Sequence, residues 1–325
     1  MTHRTASQQP PASADTAAIL GAAATAERLP FGALADEIAA LLQDGAVHVP
    51  PRSVIPLAGG GSLFAMPATD GHVAMTKLIT YTPRNAGTVR PAIQGDVVVF
   101  DIDTGARRLV LDGPAVTARR TAAVSLLAAQ RLAPRAAGGP LLIVGAGVQG
   151  LAHAQAFIEG MNVREVWVTS RSTTSAETLA RQVQALGANA RVVTDADAAL
   201  AHCPLVAVCT PAQAVVLTAP PREDAFIAAV GAFTPAMAEL APELCQHMAE
   251  RGRIVVDTAD AAHEAGDLLQ AGLPVASYPT LHDVVCGKAT AGERPGPVLF
   301  KSCGWAGWDL AAARLAMADV LHGRQ

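Results

Sequence analysis

The stretch Leu141-Leu142-Ile143-Val144-Gly145-Ala146-Gly147-Val148-Gln149-Gly150 constrains this chain more than any other. An apolar run enters a glycine-rich turn, and Leu151, Ala154, Phe157 and Ile158 then continue with helical spacing. This pattern is a buried parallel strand, a turn and a helix. In such a turn Gly145 allows the tight reversal, Gly147 lets the backbone approach a pyrophosphate, and Gly150 lets the helix pack closely on the strand. A bare G-x-G-x-x-G is a weak signal, but a second strand, Glu165 to Thr169, follows about twenty residues on, as a βαβ unit requires. The expectation is a dinucleotide site holding its ligand with Gly145, Ala146, Gly147, Val148, Gln149 and Gly150. The plainer alternative is a glycine-rich turn that binds nothing.

The rest of the chain falls into place around this unit. Residues 1–28, rich in Ala, Thr, Ser and Pro, read as a disordered extension. Leu34, Ile38, Leu41 and Leu42 mark an amphipathic helix from Ala33 to Asp44, with Gly45 as its stop. Short β segments follow at Ser53 to Leu57, Leu63 to Met66, Val73 to Thr80, Asp96 to Ile102 and Arg108 to Leu111, the last two joined through an Asp103-Thr104-Gly105 turn. They predict a mainly antiparallel sheet. An Ala-rich helix from Val116 to Leu132, with Thr117 as a candidate cap, leads to a Pro/Gly/Ala linker at 134–140. Beyond it six strands alternate with helices and predict a doubly wound parallel sheet. An amphipathic helix, Trp308 to Leu321, closes the chain.

Composition narrows the partners. In 325 residues, 51% are hydrophobic and 16% charged, and the formal charge is −4 without a Lys/Arg cluster, which argues against a nucleic-acid surface. Five scattered cysteines without a C-x-x-C pair signal neither a disulfide framework nor a metal site. No apolar run approaches the ~20 residues of a membrane span, and no signal-peptide core follows Arg4, so a cytoplasmic protein is expected.

The end of the second strand of the βαβ unit should read the adenosine ribose. A carboxylate there selects NAD, whereas hydroxyls and Arg suit a 2′-phosphate. The chain reads Thr169-Ser170-Arg171-Ser172-Thr173-Thr174, so Ser170, Arg171 and Thr173 favour NADPH; the alternative is an exposed loop arginine with NADH accepted. Cys209-Thr210-Pro211 and Gly231-Ala232 follow later strands at their carboxyl ends, where open α/β sheets bind ligands. Arg52, Lys77 and Arg120 each interrupt an apolar or small-residue run. Singly, each is a solvated or salt-bridged surface residue; as a set they make a pocket for a small carboxylate.

Arg52, Leu63-Phe64-Ala65-Met66-Pro67-Ala68, Lys77, the run from Leu111 to Ala123 with Arg120-Thr121-Ala122-Ala123, the glycine turn and Phe300-Lys301-Ser302-Cys303-Gly304 together resemble the ornithine cyclodeaminase/mu-crystallin family. The resemblance covers nearly the whole chain beyond residue 30. It implies an α/β fold in which a Rossmann domain, residues 136–302, is inserted in an α+β substrate and dimerisation domain, 29–135 plus 303–325, within a homodimer. It also implies that Arg52, Lys77 and Arg120 meet the substrate carboxylate, with Arg120, Thr121 and Ser302 near the cofactor.

Where cyclodeaminases and the related alanine dehydrogenases carry a catalytic aspartate in V-G-x-D, this chain has Val230-Gly231-Ala232-Phe233. Phe233 moves no proton, and a lysine that often follows is replaced by Met237. The Gly231 to Leu240 run is similar to bacterial members that reduce Δ1-pyrroline-2-carboxylate to L-proline and Δ1-piperideine-2-carboxylate to L-pipecolate. The resemblance thus implies a ketimine reductase, an NAD(P)H-dependent oxidoreductase acting on C=N. Lys77 is the first candidate proton donor and His48 the second, with Phe233 as a wall of the substrate pocket. The alternatives are an amino-acid dehydrogenase, a cyclodeaminase-like enzyme, or a non-catalytic binder of NADP and a small ligand.

Overall fold

The computed structural model describes residues 17–85, 88, 90–134, 139–212, 214–289 and 296–322. Two sheets organise them. The first contains β1 (Ala18–Leu20), β2 (Ser53–Leu57), β3 (Gly61–Thr69), β4 (Val73–Tyr81), β5 (Ile93–Asp101) and β6 (Arg107–Asp112) in the order β1-β6-β5-β4-β3-β2. Every pairing is antiparallel except that of β1 with β6. Side chains alternate between faces. Met66, Met75, Val97, Val99 and Leu111 are buried on one face, whereas Ile55 and Leu78 on the other are exposed. The Asp103-Thr104-Gly105 turn forms as expected: Asp101 Oδ1 accepts from the amides of Asp103 and Thr104, and Gly105 takes the left-handed conformation at φ +67°.

On the buried face lie α1 (Ala22–Glu27) and α3 (Gly113–Leu132), and α2 (Phe31–Leu42) packs over α3. The N-terminal expectation needs correction. Residues 1–16 lie outside the described residues, but 17–28 are ordered. The Thr25 hydroxyl donates to the Leu20 carbonyl and accepts from the Asp112 amide, while Arg119 donates to the carbonyls of Ala26 and Leu29. Polar staples order this segment, and apolar patterning could not show them. Likewise α3 begins earlier than expected. Asp112 caps it by accepting from the Ala115 amide, and Thr117 instead donates back to the Gly113 carbonyl.

The second sheet contains β7 (Leu141–Val144), β8 (Glu165–Thr169), β9 (Asn189–Val192), β10 (Leu205–Val208), β11 (Phe226–Ala229), β12 (Arg253–Val256) and β13 (Val298–Lys301). Its order is β12-β13-β11-β10-β7-β8-β9 and all its pairings are parallel. Helices α4 (Val148–Met161), α5 (Thr173–Ala185), α6 (Ala196–Leu200) and α7 (Pro242–Arg251) belong to this doubly wound part, with short α8 (Ala261–Glu264), α9 (Gly266–Gln270) and α10 (Leu281–Val285) after β12. A seventh strand, β13, is inserted between β11 and β12. Its four residues are too few for periodicity to separate strand from loop.

The chain then returns to the first sheet as α11 (Ala306–His322), which packs on α2, α3, β3 and β4. This helix was expected to be amphipathic, but Trp308, Leu310, Ala311, Ala312, Ala313, Ala316 and Met317 are buried around its circumference. It is enclosed by helices and sheet together, so it presents no wet stripe over those residues. Among the described residues no helix is long and apolar enough to cross a membrane. The fold is therefore α/β, a Rossmann unit inserted in an α+β unit.

Candidate active site

The strand order reverses between β7 and β10, and the carboxyl ends of parallel strands at such a switch point form a crevice. A groove of about 1240 Å³ lies there, walled by Gly145 to Gln149, by Ser170 and Arg171 after β8, and by Cys209, Thr210 and Pro211 after β10. Gly145 has φ +111°, and a Cβ on it would lie 2.7 Å from the Cys209 carbonyl oxygen. A Cβ on Gly150 would sit 2.1 Å from the Gly145 carbonyl oxygen, so Gly150 packs under the turn rather than lining the groove. Around Gly147 there is open space, and it caps α4, whose free amides face a ligand approaching this end. Val148, 72% exposed, lines the groove at the same point.

Thr173 does not line the groove. It is exposed in the first turn of α5, while Ser172, which caps that helix, and Ser175 do line it. Asp195 and Asp197 also reach the groove from the end of β9, where no sequence signal was assigned. Both are engaged: Asp195 caps α6, and Asp197 accepts from the Thr218 amide and hydroxyl and the Ala219 amide. The Cys209 thiol is buried, which pushes its pKa well up and leaves it a packing group.

Gly231 and Ala232 do not line the groove either. Their amides donate to the buried Glu239 carboxylate, which also accepts from the Thr210 amide and hydroxyl. Glu239 thereby ties the ends of β10 and β11 together, and burial raises its pKa against the pull of Lys301 and Thr210. A Cβ on Gly231 would be 2.2 Å from the Thr210 carbonyl oxygen, so glycine is needed for this close approach. Phe233, next along, is 41% exposed, an apolar side chain at the position where the sequence placed a pocket wall.

The cations assemble on the other side. Lys77 lies on the buried face of β4, level with Met66 of β3 and Val97 of β5. Its Nζ is 3.1 Å from Asp309 Oδ1, and Arg120 Nε from α3 is 3.4 Å from the same oxygen. All three side chains are buried. Burial pulls the Lys77 ammonium from its usual 10.5 down to about 8; Asp309 opposes this fall and Arg120 adds to it. The sequence reading did not include Asp309. It stands in an apolar helix beside Trp308, and only a general rule about buried charge, applied to that helix, could have flagged it.

Arg52 precedes β2. Because Ser53 pairs with Ala65, and Ala65 with Leu78, Arg52 lies level with Met66 and Lys77, about 10 Å from the latter at two strand spacings. Its guanidinium is paired with Glu264 of α8, so it bridges the two units of the fold. Burial raises the Glu264 pKa, with Arg52 pulling against it. Thr121 is buried beside Arg120 on α3. Ser302 is also buried, and its hydroxyl donates to Asp257, which accepts the amides of Cys303 and Gly304 as well. Ser302 thus shapes the turn that lays Gly304 against the Arg120 guanidinium, to which a Cβ would come within 3.2 Å.

His48 is not brought into this group. It is exposed, and its backbone bridges Thr69, three residues along β3 from Met66, a separation of about 10 Å. A loop histidine outside the buried set is what the structure contains.

Residues 16–324 match the ornithine cyclodeaminase/mu-crystallin family. The chain is 38% identical to Δ1-pyrroline-2-carboxylate reductase 1 of Burkholderia multivorans, over 94% of this chain and 97% of that protein. It is 37% identical, with the same coverage, to a Δ1-pyrroline-2-carboxylate/Δ1-piperideine-2-carboxylate reductase of Azospirillum brasilense. The fold is shared with Δ1-pyrroline-2-carboxylate reductase of Thermococcus litoralis, solved with NADH and L-proline, at a TM-score of 0.80 and 24% identity over 94% of this chain and 95% of that one. A glycine turn in a doubly wound sheet, the lysine and arginines of the first unit and this match along almost the entire length lead to one assignment: the chain belongs to the ornithine cyclodeaminase/mu-crystallin family.

Proposed function

We propose that this protein is a ketimine reductase that converts Δ1-pyrroline-2-carboxylate and Δ1-piperideine-2-carboxylate to L-proline and L-pipecolate with NAD(P)H. The observation that carries this reading is the charge of the buried group. Among the described residues Lys77 and Arg120 face one carboxylate, Asp309, which leaves one excess positive charge out of water. Such a charge requires an anion, and the carboxylate of a small cyclic imino acid supplies it. Arg52 would clamp the same carboxylate bidentately after exchanging its Glu264 partner.

The groove residues fit a nicotinamide dinucleotide. Gly145 to Gln149 and the α4 N-terminus would hold the pyrophosphate, and Ser170, Arg171 and Ser175 the ribose end. Arg171 has no ion-pair partner among the described residues, so its guanidinium is free for a 2′-phosphate, which favours NADPH over NADH. When bound, the reduced cofactor supplies the hydride to the ring carbon. Lys77 holds the proton at Nζ and delivers it to the ring nitrogen, since an iminium carbon accepts hydride far more readily than a neutral imine. Phe233 presents an apolar wall where a carboxylate would be needed to activate a leaving amine. Its presence favours reduction over cyclodeamination.

We take 29–135 plus 303–325 as the substrate and dimerisation unit and 136–302 as the cofactor unit. The exposed apolar face of the first sheet, with Ile55 and Leu78, suits a second copy in a cytoplasmic homodimer. The test is steady-state reduction of each imine by the purified protein with NADPH and with NADH. Oxidation of NADPH with both rings is expected. No turnover with either would sink the reading, and turnover only with an open-chain keto acid plus ammonia would replace it with an amino-acid dehydrogenase.

A further inference from the structure

The buried acids of this molecule differ in how their two oxygens are engaged. Asp257 and Glu239 use both oxygens: Asp257 accepts from the Thr258, Cys303 and Gly304 amides and the Ser302 hydroxyl, and Glu239 from Thr210, Gly231 and Ala232. These are staples between loop and strand ends. Asp70 Oδ2 and Asp267 Oδ2 are buried without a hydrogen bond, but each faces a cation, Arg314 at 3.4 Å and Lys301 at 2.8 Å. Asp309 differs. Its Oδ1 is shared by Lys77 and Arg120, while Oδ2 is buried with no hydrogen-bond partner among the described residues. A carboxylate placed only to join helices would satisfy both oxygens, because an unmade bond in the interior is costly. Its position, between a lysine from β4 and an arginine from α3, is the informative feature.

We propose that Asp309 is a positioning residue for the reduction, keeping the Lys77 ammonium protonated and aimed so that Nζ can protonate the ring nitrogen. This rests on the reading of Lys77 as proton donor. In the step, the C=N π pair goes to nitrogen, which takes the proton from Lys77, while the hydride from the cofactor forms the new C–H bond. Lys77 is left neutral and regains a proton from solvent. Asp309 neither gives nor takes one.

The surroundings of Lys77 give Asp309 this task. Arg120 on α3 repels the ammonium, and burial disfavours it further. Of the other charged groups on the elements around α11, Glu37 on α2, together with Asp44 and Asp70, closes on Arg314, five residues and about 7.5 Å further along the helix. Arg119 on α3 turns to the Ala26 and Leu29 carbonyls, Asp101 on β5 pairs with Arg108, and β3 carries no charge. Asp96 on β5 is level with Leu78, on the opposite face of the sheet. Among the described residues Asp309 is the carboxylate in contact with Lys77.

The experiment compares kcat against pH for imine reduction at saturating NADPH in the wild type, Asp309→Asn, Asp309→Glu and Lys77→Met. In Asp309→Asn the falling limb at high pH should move down by about one unit or more. The rate at pH 8 then drops at least about fivefold and recovers to within about threefold near pH 6, with NADPH affinity unchanged. Asp309→Glu, which keeps the charge, should keep the limb within about half a unit while lowering kcat. A loss of equal size at every pH, or no loss, in Asp309→Asn overturns the proposal. If that variant does not fold, a limb displaced by a full unit in Asp309→Glu overturns it. Lys77→Met tests the underlying reading separately. If it retains both rate and limb, Lys77 is not the donor, whatever the Asp309 variants do.

Discussion

The two halves of the candidate site are built by opposite means. The cofactor half is made of backbone: the turn Gly145 to Gly150 works because side chains are absent, and two of its glycines would drive a Cβ into a carbonyl oxygen. The substrate half is made of side chains: Lys77, Arg120 and Asp309 come from β4, α3 and α11, separated by up to 232 residues, and meet through charge in a buried place. A turn that relies on steric exclusion is local and tolerates no addition. A charge cluster is long-range and tolerates no deletion. Each half should fail in its own way.

The largest effect is expected from deletion in the substrate half. Lys77→Met should lower kcat about a thousandfold, the usual worth of a positioned general acid, while NADPH affinity stays within about threefold. Fluorescence titration of NADPH beside steady-state kinetics measures both. An equal loss of binding would mean that the halves are not separable as drawn.

His153 joins them. It sits on α4 with Nε2 2.9 Å from the Ser125 hydroxyl of α3 and Nδ1 2.8 Å from the Gln149 carbonyl. Burial lowers its pKa from 6.5 to about 4, outweighing the Gln149 carbonyl. As pH falls from 6.5 toward 4, the unfolded chain binds a proton that the folded chain refuses. Stability is therefore lost through that window, by about 3 kcal/mol when complete. Urea midpoints at pH 7 and pH 5 should differ more in the wild type than in His153→Gln.

Addition to the cofactor half comes next. Gly150→Ala places a methyl 2.1 Å from the Gly145 oxygen, and the turn must open. NADPH affinity should fall about a hundredfold, read by the same titration, because the pyrophosphate depends on that geometry. Smallest is Arg171→Ala, which removes one charge-assisted contact. The KM for NADPH should rise about tenfold and that for NADH stay unchanged. Equal effects on both cofactors would show that Arg171 does not read the 2′-phosphate.

Legibility in the sequence followed the same division. The glycine turn, the bounds of β2, β7 and β8 and the six strands of the α/β part were readable because each depends on residues a few positions apart. Thr173, Gly231 and Ala232 were assigned to the cofactor groove by proximity in sequence. The structure instead exposes the first on α5 and binds the other two to Glu239. His48, the second candidate proton donor, lies on another line of the sheet from Lys77. Strand β13 and the ordered segment before residue 28 were missed, the one too short and the other held by polar contacts from distant residues.

The sequence by itself determined that this chain has a glycine turn of the dinucleotide-binding pattern, that three cations interrupt apolar runs, and that Phe233 stands where the cyclodeaminase pattern has an acid. All of these are properties of single short segments. Only the tertiary structure decided that Lys77 and Arg120 share one carboxylate while Arg52 is paired across to Glu264, and that the shared carboxylate belongs to the last helix. The physical reason is that the state of a buried charge is set by whatever the fold brings within a few ångströms of it, and Asp309 lies on the returning α11, far along the chain from Lys77.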